Sequence, residues 1–289
     1  MSDASEHPVN AGLLAAIRAA FECPRVRGLS DKGVHAVRKK VKKGRAALRL
    51  LRPVVAEADY RRANAMLRDR GRRLAPLRDA KSLLETLDKI TLRHASELRG
   101  VELAPLRQSL LARCVQARRE LSNDQPEDRA CAESLERFNE LAARSGLAHV
   151  DSVAICDGLR RIYRKGRRTS ARARRMRTSE ALHTWRKQVK YLLNATAILQ
   201  SAGVRRLRKI IKRADRIAGL LGDDHDLAML LDAFRGSAVD PHAAEILHDL
   251  VSRRRRKLQA RAFDHRGKLF EKKPGRFVSR IDVEKAGPS

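Results

Sequence analysis

Apolar residues recur at intervals of three and four along almost the whole chain, and this is the period of an amphipathic α-helix. Alternating patterns typical of β-strands are almost absent. The chain also holds only 16 Gly and 9 Pro among its 289 residues, so few positions favour turns or helix breaks. The pattern predicts an all-α fold.

Capping residues and prolines predict where the helices begin and end. Ser30 is a suitable N-cap, and Pro105, Pro126 and Pro241 each suit the first turn of a helix. Pro24, Pro53 and Pro76 are expected to end or interrupt helices. The resulting helices are predicted at about 9–23, 31–53, 59–76, 77–94, 150–168, 179–200, 204–221 and 225–234.

The most informative feature of the sequence is an internal repeat. A His-x-x-Arg-Lys-x-x-Lys motif begins at His35 and returns at His183. On a helix these motif positions share one face over about 10 Å of axis, which predicts a cationic stripe on each of two helices. Apolar residues occupy another face of each helix and are predicted to be core: Val34, Val37, Val41 and Leu48 in the first helix, and Leu182, Trp185, Val189 and Thr196 in the second.

A second pair of similar segments follows the stripes. Residues 74–84 align with residues 221–231, and the spacing from His to Asp is 44 residues in one copy (His35 to Asp79) and 43 in the other (His183 to Asp226). The repeat therefore predicts two similar helical halves, each a bundle of about four helices.

The net charge of the chain indicates a protein that binds a polyanion. Lys and Arg number 64 and Asp and Glu number 34, which gives a formal net charge of +30. Such self-repulsion is tolerable chiefly when a polyanion is bound. Aromatic residues make up only 3% of the chain, which argues against a platform that stacks bases of single-stranded nucleic acid.

The four cysteines, Cys23, Cys114, Cys131 and Cys156, show no zinc-ligand spacing and are predicted to be reduced core residues. The first ten residues lack the features of a signal peptide, and no apolar stretch is long enough to span a bilayer. A cytoplasmic protein without membrane contact is therefore expected.

The stripes, the Arg78-Asp79 pair and the Leu221-Gly222 to Asp226 stretch resemble the CHAD family, which is named for a conserved histidine in an α-helical domain. The resemblance implies two four-helix bundles related by approximate internal two-fold symmetry around a basic groove or pore. It also implies binding of inorganic polyphosphate, often on polyphosphate granules. The CHAD domain is expected at residues 1–251, with halves at about 9–148 and 149–251, followed by a basic helix end and tail at 252–289.

The candidate site combines the motif residues of the family with nearby cations at helical spacing. The expected polyphosphate-binding residues are His35, Arg38, Lys39, Lys42, Arg45, Arg78, His183, Arg186, Lys187, Lys190, Lys209, Lys212, Arg213 and Arg216. Asp79 and Asp226 are expected to orient these cations rather than to act as general bases.

Several features have a second interpretation. His35 and His183 could contact phosphate directly, or could be buried partners of a backbone carbonyl or of Asp79 and Asp226. Ten cations without an acid between positions 160 and 177 could form a helix that lines the groove or a flexible basic arm. The acidic residues between 223 and 226 are expected to cap a helix rather than to hold a metal.

These observations predict a non-catalytic binding protein with no cofactor and no metal. The Glu-x-Glu-x-Lys motif of the triphosphate-tunnel domain, which is often fused to this family, does not occur, and neither does a Gly-rich phosphate loop. A protein that binds the RNA or DNA backbone through the same stripes is the alternative. An enzyme that transfers phosphate or cleaves polyphosphate is the third possibility.

Overall fold

The computed structural model describes residues 7–22, 30–123, 127–234 and 240–284. These residues contain no strand, and the predicted all-α class is confirmed. A short 3-10 turn lies at Leu147–His149. The described α-helices are α1 (Pro8–Phe21), α2 (Asp31–Leu50), α3 (Glu57–Arg73), α4 (Ala75–Arg93), α5 (Ala104–Asn123), α6 (Glu127–Arg144), α7 (Ser152–Met176), α8 (Ser179–Ser201), α9 (Arg208–Phe234), α10 (Pro241–Leu269) and α11 (Pro274–Val278).

Local capping explains several helix starts. The Ser30 hydroxyl accepts a hydrogen bond from the Gly33 N–H at 3.2 Å, so the predicted N-cap of α2 is confirmed. Pro105 and Pro241 lie in the first turns of α5 and α10, as expected from their fixed φ. Pro24 and Pro126 lie outside the described residues.

Helix α9 corrects one prediction. Two helices with a break near Gly222 were expected, but α9 is continuous from Arg208 to Phe234. The Gly-Asp-Asp sequence favours a break locally, yet Leu221 and Leu227 are buried on either side of it and Asp224 is buried against α10. Tertiary packing therefore overrides the local propensity, and the acidic residues of this segment do not cap a helix start.

Helix α7 shows that the ten-cation run is helical as far as Met176, while its place along the groove stays a prediction. The run was expected to be helical only to about residue 168, but α7 continues to Met176. The chain then turns at Arg177, whose φ is 53°, and α8 starts after Thr178, whose side chain accepts from the Ala181 N–H at 3.2 Å. The flexible-arm interpretation is therefore wrong for residues 160–176, because buried residues such as Tyr163, Ser170 and Ala173 hold this helix to the rest of the fold.

The apolar faces of both stripe helices are buried, as predicted. Most of the core is one continuous cluster to which α1 and α8 contribute extensively. The N-terminal half of α2 instead joins a smaller cluster with the start of α4 and the end of α5, formed by Val34, Val37, Val41, Leu74, Leu77, Ala117 and Leu121. The N-terminal part of the first stripe is therefore supported by α4 and α5.

Helix packing brings the stripe helices side by side. Helix α2 packs on α8 and α7, α4 packs on α9, and α9 also packs on α8 and α10. The α2–α7 crossing requires a glycine, because a Cβ at Gly158 would lie 2.0 Å from the Leu50 carbonyl oxygen. The division into two bundles with two-fold symmetry stays a prediction.

The C-terminal segment is part of the folded molecule. Helix α10 runs through Val251, where a boundary was predicted, and residues as far as Val283 contribute to the main core. The rings of Tyr163 and Phe277 stack at 3.8 Å, and the Tyr163 hydroxyl donates to the Leu269 carbonyl at 3.2 Å.

Two further predictions concern the cysteines and the membrane. Cys114 and Cys156 are free thiols, as expected, but they are only partly buried. The side chains of Cys23 and Cys131 lie outside the description. Among the helices of the described ranges, none combines the length and the apolar character that a bilayer span requires.

Candidate functional site

Cations from three helices meet where α2, α4 and α8 approach one another. Lys42 on α2 lies within electrostatic reach of Lys190 and Arg186 on α8 and of Arg78 on α4. Because Lys42 and Lys190 are corresponding positions of the repeat, the two stripes converge here. We call this set of five residues the central basic cluster: Arg38, Lys42, Arg78, Arg186 and Lys190.

Lys42 shows how strongly these charges act on one another. Burial of its ammonium, together with Arg38, Lys190, Arg186 and Arg78, lowers its pKa to about 8. Its side chain is nevertheless exposed to water. A side chain that water reaches but that protein atoms surround lies in a concavity, and this is where a ligand can compete with water for the ammonium.

Arg186 lies close against α9. Its Nη2 atom would be 3.3 Å from a Cβ placed on Gly222, so the absence of a side chain at this position makes room for the guanidinium. The Nε atom of Arg186 and the Nη1 atom of Arg78 are buried without a hydrogen-bond acceptor among the described residues. A buried donor without an acceptor costs about 1–3 kcal/mol, so an anion that accepts from both would recover this cost.

The two predicted orienting acids lie beside these arginines. The charge of Asp79 is close enough to favour the charged forms of Arg38 and Arg186, and the charge of Asp226 favours the charged form of Arg186. Asp226 is itself held in place, because the Ser82 hydroxyl on α4 donates to its Oδ2 atom at 2.9 Å. This bond ties α4 to α9 at the level of the central basic cluster.

His183 forms a pair that the sequence analysis missed. Its ring lies 4.4 Å from the ring of His225 on α9, measured between centroids. Burial, followed by the charges of His225, Lys187 and Arg186, lowers the pKa of His183 to about 4, and burial and Arg186 also lower the pKa of His225. Both imidazoles are therefore neutral near pH 7, and the buried Nδ1 of His183 has no partner among the described residues.

The first-motif histidine is placed differently from the second. His35 is exposed near the start of α2, and burial, Lys42 and Arg78 lower its pKa. Both predicted histidines thus adjoin the central basic cluster, His35 through Arg78 and His183 through Arg186.

Other predicted site residues lie at the edge of the cluster or away from it. Lys39 and Lys187 are exposed next to the motif histidines. Arg45 donates to the Asn64 side chain at 3.3 Å, so its guanidinium is partly committed to α3. Arg213 donates to the Lys268 carbonyl on α10 at 2.8 Å. For Lys209, Lys212 and Arg216, membership of the site stays a prediction.

A second group of cations continues from α2 onto α7. The Arg49 guanidinium stacks 3.7 Å from the centroid of the Tyr191 ring on α8. Burial lowers the pKa of Lys165 on α7, and Arg49, Arg168, Arg52 and Lys187 contribute. The signal for this extension was present in the sequence, because the alternating spacing of three and four that links Arg38, Lys42 and Arg45 continues to Arg49 and Arg52.

Asp224 and the residues that follow it contact different helices. Asp224 is only 2% exposed and accepts from Arg255 Nε at 3.0 Å and from Gln259 Nε2 at 2.8 Å. Asp226 instead faces α4, and His225 faces α8. No group of three or more His, Cys, Asp or Glu side chains within the described ranges is arranged to hold a metal ion.

Comparison with known proteins identifies the family. A family model described as CHAD domain matches residues 11–235, which is more than three quarters of the 289 residues. No curated protein is significantly similar to the chain in sequence. The matched segment includes both stripes, the central basic cluster and the His183–His225 pair, and the chain therefore belongs to the CHAD domain family.

Proposed function

We propose that this protein binds inorganic polyphosphate, without cleaving it, along a basic groove floored by the central basic cluster. The observation that carries the proposal is the meeting of the two repeated stripes at Lys42, Arg186 and Lys190. Membership of the CHAD family, which is linked to polyphosphate binding in general, supports the same ligand class.

The chemistry of the ligand fits this arrangement. Linear polyphosphate repeats one negative charge per phosphate and offers no base or sugar, so only charge density and spacing can be recognised. One close pair of a cation and a phosphate gains on the order of 4 kcal/mol at an effective dielectric constant near 20, most of which desolvation and side-chain ordering offset. Affinity therefore comes from many pairs, and cations fixed on rigid helices lose less entropy when they bind.

Binding without catalysis is part of the same proposal. Asp226 and Asp224 are engaged by Ser82 and by α10, which suits a structural or orienting role better than proton transfer or metal binding. Incubation of the protein with polyphosphate and Mg²⁺ or Mn²⁺ is expected to release no orthophosphate. Release at a rate that depends on the central basic cluster would contradict this part of the proposal.

Charge reversal tests the site directly. We expect the variant R38E/K42E/R186E/K190E to lose polyphosphate binding in a calorimetric titration, while its helicity by circular dichroism stays that of the wild type. The matched control is R99E/R119E/R276E/R280E, which makes the same change in net charge at four exposed positions of other elements. Equal affinity of the two variants would show that the net charge, and not this cluster, binds the ligand.

Competition decides between polyphosphate and nucleic acid. Polyphosphate is expected to remain bound when RNA or double-stranded DNA is added at equal phosphate concentration and equal salt. Displacement by either nucleic acid would favour the alternative, in which the stripes contact the nucleic-acid backbone.

A further inference from the structure

Helix α10 carries a run of basic residues that lies outside the binding site proposed above. Arg253 to Lys257 are five consecutive cations, and they lie beyond residue 235, where the match to the CHAD domain ends. Helix α10 packs along α9, which also packs on α4, and Arg253 of α10 pairs with Glu97 in the segment after α4. The run is therefore positioned beside the elements that carry Asp226, Ser82 and Arg78.

Contacts of Arg255 and Arg253 show which way these two cations point. On one flank of α10, Arg255 donates to Asp224 at 3.0 Å and to the Ser179 hydroxyl at 2.9 Å, so it faces α9 and the start of α8. Arg253 forms an ion pair with Glu97 in the segment after α4. Arg254 lies between these two arginines in sequence, is partly buried, and has Arg93 of α4 within electrostatic reach.

The charges around Arg254 connect it to the central basic cluster. Arg254 lies within electrostatic reach of Arg93 on α4, of Asp223 on α9 and of Arg261 on its own helix. Asp223 is in turn within reach of Lys89 on α4 and of Arg186. A continuous series of charged side chains thus leads from Arg186 to the far end of α4 and to α10.

The face of α4 supports the same path. Ser82, Lys89 and Arg93 follow Arg78 by 4, 11 and 15 residues, so at 100° per residue all four lie within about 60° of one another around the helix. The bond from Ser82 to Asp226 fixes this face against α9. From Arg78 to Arg93 the face extends about 22 Å along the axis.

We propose that Lys89 and Arg93 of α4, together with Arg254 and Arg261 of α10, form an accessory phosphate subsite that continues the polyphosphate path beyond the central basic cluster. The inference rests on the proposed function, since it assigns further phosphates of the same ligand. Lys89 and Arg254 lie near the carboxylate of Asp223, Arg93 and Arg261 lie near Arg254, and a bound phosphate chain would relieve the repulsion among these four cations. The subsite makes binding selective for long chains, because a short chain that fills the central basic cluster does not reach α10.

The test compares Arg254→Glu with Arg256→Glu in the full chain. Arg256 is exposed and lies two residues further along the same helix, about 200° around the axis, so it has the same charge change on an outward face. With long-chain polyphosphate, we expect R254E to bind about three- to tenfold more weakly than R256E at low salt. The slope of log K against log salt concentration is expected to fall by about one for R254E.

Tripolyphosphate serves as the short probe. Both variants are expected to bind it as the wild type does, because it occupies the central basic cluster alone. Circular dichroism checks folding, and Arg254→Gln, which removes one charge instead of reversing it, is expected to give a smaller effect in the same direction.

The outcomes separate this inference from the proposed function. If the wild type binds long-chain polyphosphate but R254E and R256E bind it equally well, the subsite is wrong and the proposed function stands. If R254E loses tripolyphosphate as strongly as the long chain, Arg254 belongs to the central basic cluster and no accessory subsite exists. If the wild type binds neither probe, the proposed function fails and the subsite fails with it.

Discussion

Lys42 is a lysine that water reaches and whose pKa is nevertheless lowered, first by burial of its ammonium and then by the four other cations of the central basic cluster. With a pKa of about 8, a large share of its ammonium groups has lost the proton in mildly alkaline solution. A phosphate placed beside it favours the charged form and raises its pKa. Ligand binding and protonation at this residue are therefore coupled.

This coupling predicts proton uptake when polyphosphate binds near pH 8. The affinity of the wild type is expected to fall as the pH rises above 8, because an increasing fraction of Lys42 must first be protonated. Arginine at this position stays charged throughout this range, so Lys42→Arg is expected to remove this uptake and to flatten the pH dependence. Calorimetric titrations in two buffers with different heats of ionisation measure the uptake, and equal uptake by wild type and K42R would contradict the assignment.

At the residue scale, the stripes themselves could be predicted because the spacing of His, Arg, Lys and Lys is a local property of one helix. The pairing of His183 with His225 could not, since it depends on the rotation of α9 against α8. The role of Gly222 was also misjudged. The Gly222-Asp223-Asp224 sequence favours a helix break. In the fold, the lack of a side chain at Gly222 leaves the space that the Arg186 guanidinium occupies.

Helix α9 packs at Gly222 against Arg186 of the second stripe. Gly222 and Gly219 are both in its interior, but only Gly222 faces a neighbour, since a Cβ at Gly219 would meet nothing within 4 Å. An alanine at either position is expected to gain helix stability of about 0.5–1 kcal/mol from the loss of backbone freedom in the unfolded chain. At Gly222 the added methyl group also displaces the Arg186 guanidinium.

The two substitutions therefore separate stability from binding. We expect Gly219→Ala to raise the free energy of unfolding and to leave polyphosphate affinity unchanged. Gly222→Ala is expected to fold stably but to bind about three- to tenfold more weakly, because the contact at 3.3 Å must give way and the guanidinium leaves its position. Urea denaturation and calorimetry provide both quantities, and equal affinities for the two variants would show that the position of Arg186 does not matter for binding.

At the element scale, most helices could be predicted from periodicity and caps, as the starts of α2 and α10 demonstrate. The extension of α7 and the continuity of α9 could not, because both are determined by residues buried against other elements, such as Ser170 and Ala173 in α7 and Asp224 in α9. The packing of α2 on α8, which unites the stripes, likewise follows from contacts between segments far apart in sequence.

For the molecule as a whole, the net charge of +30 acts against the folded state. Added salt screens this repulsion, with a Debye length that falls from about 10 Å at 0.1 M to about 3 Å at 1 M. The melting temperature of the free protein is therefore expected to rise with sodium chloride concentration over this range. A melting temperature that falls with salt would indicate that the charges are already neutralised within the fold.

Polyphosphate is expected to stabilise the protein beyond what ionic strength alone achieves. At a ligand concentration one hundred times Kd, the linkage relation gives about 2.7 kcal/mol. Thermal unfolding of the wild type and of R38E/K42E/R186E/K190E at matched ionic strength measures this difference, and the variant is expected to show only the effect of salt. An equal gain for both proteins would place the stabilising contacts elsewhere on the surface.

The hydrogen bonds of Asp224 bear on where this domain ends. Its carboxylate belongs to the segment that defines the family, whereas Arg255 and Gln259, which donate to it, lie after residue 235. A polypeptide that ends at residue 235 lacks both donors and the buried apolar residues of α10, so we expect it to unfold at a lower urea concentration than the full chain. The part of the chain that folds stably is therefore expected to extend beyond the family match and to include α10.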